Sequence, residues 1–96
     1  MPHYIILFNF TDQGIRNVKD TIKRAGAFKA AVEKAGGKFV SEYHTLGRYD
    51  IVTTVEAPND EAIASVLIAT GSLGNVRSDT LRAFSMDEAA KVIERV

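Results

Sequence analysis

Hydrophobic positions along the chain fall into alternating regimes. Residues 3–10, HYIILFNF, are almost continuously apolar and predict a strand buried on both faces. Ile15, Val18, Ile22, Ala25, Phe28, Val32 and Ala35 then recur at steps of three and four, the stripe of an amphipathic helix. Thr11 and Asp12 offer side-chain oxygens to its start. A single helix over residues 12–35 would run about 36 Å at ~1.5 Å per residue. The strands beneath it would reach only about 27 Å at ~3.3 Å per residue. A break is therefore expected, with Asp20 capping the second segment and Gly36-Gly37 ending it.

Residues 38–46 read as a more polar strand. Residues 46–58, LGRYDIVTTVEAP, read as a tight turn feeding another buried strand. Ile51, Val52, Val55 and Ala57 are apolar on both parities, and Pro58 has no N–H to continue a ladder. Gly47 can supply φ > 0 at the first central position of a two-residue hairpin turn. That register pairs Leu46 with Tyr49, Thr45 with Asp50 and His44 with Ile51. Asn59 and Asp60 then cap a helix whose inner stripe is Ala62, Ile63, Val66, Leu67 and Thr70, stopped by Gly71. Gly74-Asn75 turns the chain into residues 76–84, where Arg77, Ser78, Asp79, Thr80 and Arg82 mark an edge strand. Ser85 and Glu88 form a capping box for a final helix, with Met86, Ala89, Ala90, Ile93 and Val96 on its inner face.

The resulting order, β-α-β-β-α-β plus a C-terminal helix, is the ferredoxin-like split βαβ arrangement of an α+β domain. It predicts a four-stranded antiparallel sheet with the first and third strands central. Helices cover one face of such a sheet, yet the central strands are apolar on both. The simplest cover for the second face is another copy, which predicts a dimeric α+β barrel.

The 96 residues suit a single domain. Such a chain buries only about two-thirds of its unfolded surface, so self-association would add stability. Twelve basic and twelve acidic residues cancel, which removes a general attraction to nucleic acid or anionic membrane. Residues 12–38 nonetheless hold seven Lys/Arg against three Asp/Glu, a solvated helix face or an anion site. There is no cysteine, which excludes disulfides, thiolate nucleophiles and cysteine-ligated metal. Together with the lack of a leader pattern or an apolar run of membrane length, this suits a cytoplasmic protein.

Alternation divides the hairpin into two faces. One holds Val40, Glu42, His44, Leu46, Tyr49, Ile51, Thr53 and Val55. The other holds Phe39, Ser41, Tyr43, Thr45, Asp50, Val52, Thr54 and Glu56. Tyr43, Asp50 and Thr54 are candidates to line a polar pocket; Asp50 can instead cap the turn. His44, with Glu42 on its face, is a candidate general base, and Tyr49 and Asp50 join it as catalytic candidates. Arg82 is a candidate anion fork. The ligand-binding set is thus Tyr43, His44, Tyr49, Asp50 and Arg82. No metal-ligand spacing, phosphate loop or nucleophile elbow is present, so no metal or organic cofactor is expected. The third strand has no aromatic platform for stacking bases.

Gly47-Arg48-Tyr49-Asp50, Glu56-Ala57-Pro58, Gly74-Asn75-Val76-Arg77 and Thr80-Leu81-Arg82-Ala83-Phe84 resemble the GYD domain family, whose name reflects a Gly-x-Tyr-Asp signature. Thr11-Asp12-Gln13-Gly14 and Gly36-Gly37 fit as well. The resemblance implies a small prokaryotic protein of the dimeric α+β barrel class and brings no settled activity with it. The functional expectation is a homo-oligomeric small-molecule-binding or regulatory module, with other copies of itself as the expected partner. One alternative is a small cofactor-independent enzyme, monooxygenase- or isomerase-like, by analogy of fold alone. The other is a purely structural assembly protein.

Overall fold

The structure, a computed structural model, describes residues 1–96. Strand β1 (His3–Phe10) is followed by helix α1 (Asp12–Arg16), a single 3₁₀ turn (Val18–Asp20) and helix α2 (Thr21–Lys34). Strands β2 (Lys38–His44) and β3 (Ile51–Glu56), helix α3 (Asp60–Ser72), strand β4 (Val76–Ala83) and helix α4 (Met86–Ile93) complete the chain. The sheet order is β2-β3-β1-β4, and every neighbouring pair is antiparallel. This is the expected ferredoxin-like order, with β1 and β3 central.

Alternation along the central strands decides which face forms the core. Tyr4, Ile6 and Phe8 of β1 and Ile51, Thr53 and Val55 of β3 are buried under α2 and α3. Phe28, Val32, Ile63 and Val66 close the core from the helices. Phe28 meets Phe8 edge-on at 5.5 Å between centroids and Phe39 at 6.5 Å. Ile6, Val32 and Val55 lie fully inside, each contributing about 1.5–3 kcal/mol by its removal from water.

The opposite face is left uncovered within one chain, since the helices lie on one side of the sheet only. Ile5, Leu7 and Val52 are half-buried there, and Leu81 is 50% exposed beside them. Antiparallel register puts Ile5 opposite Leu81 and Thr54, and Leu7 opposite Val52. Helix α4 approaches the sheet at Glu88, which lies 3.2 Å from His3 Nδ1. Most of the predicted inner face of α4 is open in the single chain: Met86 is 88% exposed and Ile93 66%, while Ala89 is half-buried.

The break in the first helical region occurs as its length requires, but by a different device. Asp20 makes no side-chain cap bond. Instead the Thr21 hydroxyl donates to the Val18 carbonyl at 2.6 Å. The 3₁₀ turn, with three residues per turn, also resets the helical phase. Counting back seven positions from buried Phe28 reaches Thr21, which is buried, while Ile15, Val18 and Ile22 face outward. The hairpin departs from its predicted faces for a related reason. Phe39 pairs with Val55 and Ser41 with Thr54, so Val40 is an extra residue in a β-bulge. The bulge places Phe39 under the helices, not beside Tyr43 and Asp50.

Candidate functional site

Two separated stretches of sequence meet where β1 leaves the sheet. Thr11 donates its backbone N–H to the Asn75 carbonyl at 3.1 Å and its hydroxyl to the Gly74 carbonyl at 2.5 Å. The same hydroxyl oxygen accepts the Gly14 N–H, capping α1 as expected. Gln13 Nε2 donates to the Leu73 carbonyl and to Asn75 Oδ1, both at 3.0 Å. Gly14 is buried against this turn, and a Cβ there would lie 1.9 Å from the Asn75 carbonyl oxygen. The Thr-Asp-Gln-Gly and Gly-Asn motifs are therefore one hydrogen-bonded unit.

The β2–β3 loop arrives at the same end. Pairing of His44 with Ile51 is as predicted, and Thr45 N–H donates to the Asp50 carbonyl. Beyond that point the two-residue turn does not form; residues 45–50 make a wider loop, with Gly47 at φ +104°. The reason is β1. Asn9 Nδ2 donates to the Arg48 carbonyl at 2.7 Å, and the Asp50 N–H donates to the Phe8 carbonyl at 2.9 Å. The loop is held to β1 as well as to itself, where the Thr45 hydroxyl donates to the Tyr49 carbonyl.

Between α2, α3 and this end of the sheet lies a cleft of about 430 Å³. Phe8, Phe28, Ile51 and Val66 contribute apolar walls, and Ala25, Ala31 and Ala69 leave the space open where larger side chains would close it. A sealed dry void of that volume would cost about 10 kcal/mol at ~24 cal/mol per Å³. That is comparable with the whole stability of a small domain, so the space is tenable as a solvent-accessible cleft. Two charged side chains line it. Arg24 donates to the carbonyls of Asn17 at 3.1 Å and Gly14 at 3.4 Å and to the Thr21 hydroxyl at 3.3 Å. Glu42 accepts from the Thr53 hydroxyl at 3.2 Å, and its other oxygen is 3.2 Å from His44 Nε2.

Comparison with known proteins bears on these motifs directly. The family model of the GYD domain matches residues 4–93. The chain belongs to the GYD domain family. It is also 32% identical over 84 residues to the "Glutamine synthetase and cystathionine beta-lyase binding protein" of Thermus thermophilus, spanning 86% of this chain and 88% of that one. Among solved structures it resembles TTHA0845, also from Thermus thermophilus, with a TM-score of 0.56, 24% identity, and 88% and 95% of the two chains covered. It also resembles FFRP-DM1, with a TM-score of 0.61, 16% identity, and 88% and 100% covered. Both structural likenesses support the ferredoxin-like fold.

Within this GYD domain the residues singled out from sequence are dispersed. Tyr43 stands on the open sheet face, 68% exposed. His44 lies on the helix side of the edge strand next to Glu42. Tyr49 is in the loop with the Arg48 guanidinium 5.8 Å from its ring centroid. Asp50 gives its carboxylate to the Phe10 N–H at 2.9 Å. It thus closes the sheet end, apart from the polar pocket expected with Tyr43 and Thr54. Arg82 lies on β4 near the other end of the sheet, over Tyr4 at 5.8 Å and Phe84 at 4.6 Å. None of these five lines the cleft. His3 and His44 sit at opposite ends of the sheet, and no three His, Asp or Glu side chains gather as metal ligands. No helix is long and apolar enough to cross a membrane.

Sequence reasoning missed Arg24 as a cleft residue. The alanines of α2 and α3 were the available signal, but alanine also reads as helix propensity. It missed a second pair as well. The Tyr4 hydroxyl donates to Asp60 Oδ1 at 2.5 Å. Burial, then the bond to Asp60, pushes the Tyr4 hydroxyl up from 10.0 to about 12. At the start of α4, the bond from the Ser85 backbone holds the Glu88 carboxyl below its ordinary value. His3 Nδ1 lies 3.2 Å from Glu88 without the alignment of a hydrogen bond.

Proposed function

We propose that this GYD domain is a homo-oligomeric binding module that regulates metabolic enzymes by docking to them. The observation that carries the self-association is the open sheet face. Ile5, Leu7, Val52 and Leu81 form a contiguous apolar row that one chain leaves in contact with water. A second copy would cover the row through a two-fold contact, and the uncovered apolar side of α4 would add to it. The partner class rests on the Thermus thermophilus relative, named for binding glutamine synthetase and cystathionine beta-lyase. The enzyme alternative has less support, because His44, Tyr49 and Asp50 do not converge. The purely structural alternative does not account for the cleft.

The test is a titration of the purified protein against purified glutamine synthetase and cystathionine beta-lyase from its host, with its mass in solution measured across a dilution series. The expected result is a dimer or larger ring with concentration-dependent melting, and saturable binding to at least one enzyme. Leu81→Glu should dissociate the oligomer. A monomer with concentration-independent melting would overturn self-association, and no binding to either enzyme would overturn the partner class.

A further inference from the structure

The structure assigns the cleft between α2, α3 and the sheet as a binding site for a small apolar monocarboxylate. This deepens the reading of the chain as a binding module and rests on it, but the site lies wholly within one chain. Four observations lead there. The volume, about 430 Å³, is within the range of small-molecule pockets, roughly 300–1,000 Å³. The walls are mostly apolar, so they favour a hydrocarbon body over a sugar or nucleotide. The facing positions on the two helices are alanines 25, 31 and 69, which leave room for a guest the thickness of one ring or acyl chain.

The fourth observation is the state of the two charges. Arg24 has no carboxylate within 4.0 Å; its three hydrogen bonds go to two carbonyls and a hydroxyl. Those bonds hold the side chain in place while leaving its charge unneutralised and two of its five N–H donors, one on Nη1 and one on Nε, free for a carboxylate oxygen. Arg24 and Asn75 also line an adjoining polar groove with Lys23, Asn17 and Asp20, so the anionic head belongs at that end. Glu42 marks the other wall. Its carboxylate would repel a second acidic group, which restricts the guest to one negative charge. The Thr-Asp-Gln-Gly and Gly-Asn unit frames the mouth through Asn75, and Gly14 supplies one of the carbonyls that hold Arg24.

The experiment is two-dimensional amide NMR of the full chain with three probes sharing one skeleton: 3-phenylpropionate, phenylalanine and 2-phenylethylamine. Saturable shifts at Ala25, Ala31, Ala69 and Thr70 are expected with 3-phenylpropionate or phenylalanine and not with the amine. The plain acid should bind at least as tightly as phenylalanine, whose ammonium sits on the same carbon as its carboxylate and so lies near the Arg24 cation. Ala69→Phe fills the cleft, leaves Arg24 intact and should weaken binding at least about tenfold. Arg24→Lys keeps the charge, loses the braced guanidinium and should also weaken it. Because Arg24 braces α1, Ala69→Phe decides the matter should Arg24→Lys fail to fold. Absence of saturable shifts with both acids, equal binding of the amine, or no effect of Ala69→Phe would overturn the assignment. Self-association measured on the same samples separates that failure from failure of the oligomer reading.

Discussion

Asp50 completes the end of the sheet through Phe10. Its carboxylate accepts the Phe10 N–H at 2.9 Å, while its own N–H donates to the Phe8 carbonyl at 2.9 Å. Side-by-side pairing of β1 with β3 stops at Phe8 and Ile51. Asp50 carries the hydrogen bonding one step further, substituting a side-chain oxygen for the next backbone carbonyl. An aspartate suits this position because its short side chain reaches an amide that glutamate would overshoot.

Asp50→Ala should therefore destabilise the fold by about 1.5–3 kcal/mol, the range for a hydrogen bond to a charged acceptor. Asp50→Asn keeps an acceptor and should lose less. Urea unfolding of the three proteins, with the slope unchanged, measures both differences. An Asp50→Ala protein as stable as the parent would mean that the Phe10 N–H finds water at no cost.

Gly14→Ala tests the contact between α1 and the 74–75 turn. The added Cβ would fall 1.9 Å from the Asn75 carbonyl oxygen, a backbone atom that cannot rotate away. Relief requires α1 to move and the Thr11 and Gln13 bonds to stretch. The expected loss is about 3 kcal/mol, the upper part of the usual overpacking range. Gly26→Ala is the control, since nothing lies within 4 Å of a Cβ there. It should stabilise by about 0.4–1 kcal/mol through the unfolded chain. Equal effects of the two substitutions would contradict the close approach.

The topology was legible because it depends on period and punctuation. Residues 3–10 appear as β1 with the predicted bounds, and Ser85 and Glu88 form both bonds of the capping box. Details set by long-range contacts were not legible. The wide loop at 45–50 is dictated by Asn9 and Phe8 of β1, which no local rule for a glycine turn includes. Val40 forms a bulge although nothing in Lys-Phe-Val-Ser distinguishes it from a regular strand. Thr21 takes the core position expected for Ile22 because a single 3₁₀ turn shifts the helix, and periodicity counted across a break loses its phase. The cleft was hidden because it is made of absences, small side chains on two helices far apart in sequence.

Thr53 and His44 both engage Glu42, and their substitutions should differ. Thr53 is fully buried and donates to Oε1, whereas His44 is half-exposed beside Oε2. Thr53→Val removes a buried bond and should cost about 1 kcal/mol. His44→Ala breaks an exposed contact and should cost no more than about 0.5 kcal/mol. Thermal unfolding at matched concentration gives both numbers. A larger loss for His44→Ala would show that the imidazole holds Glu42 in place.

The Tyr4–Asp60 pair predicts a defined loss of stability in alkali. The Tyr4 hydroxyl is raised from 10.0 to about 12, chiefly by burial and then by its bond to Asp60. A group raised in the folded state stabilises fully below its unfolded value and loses that contribution as pH climbs through the folded value. The Tyr4 contribution should thus be intact below about pH 10 and vanish between pH 10 and 12. In a Tyr43→Phe, Tyr49→Phe background, the phenolate absorbance of Tyr4 can be followed alone while circular dichroism reports the fold. Absorbance should rise near pH 12, together with unfolding. Asp60→Ala should lower that midpoint only in part, because burial is the larger cause. A rise near pH 10 in a protein still folded would show that Tyr4 meets water more freely than its place beneath α3 allows.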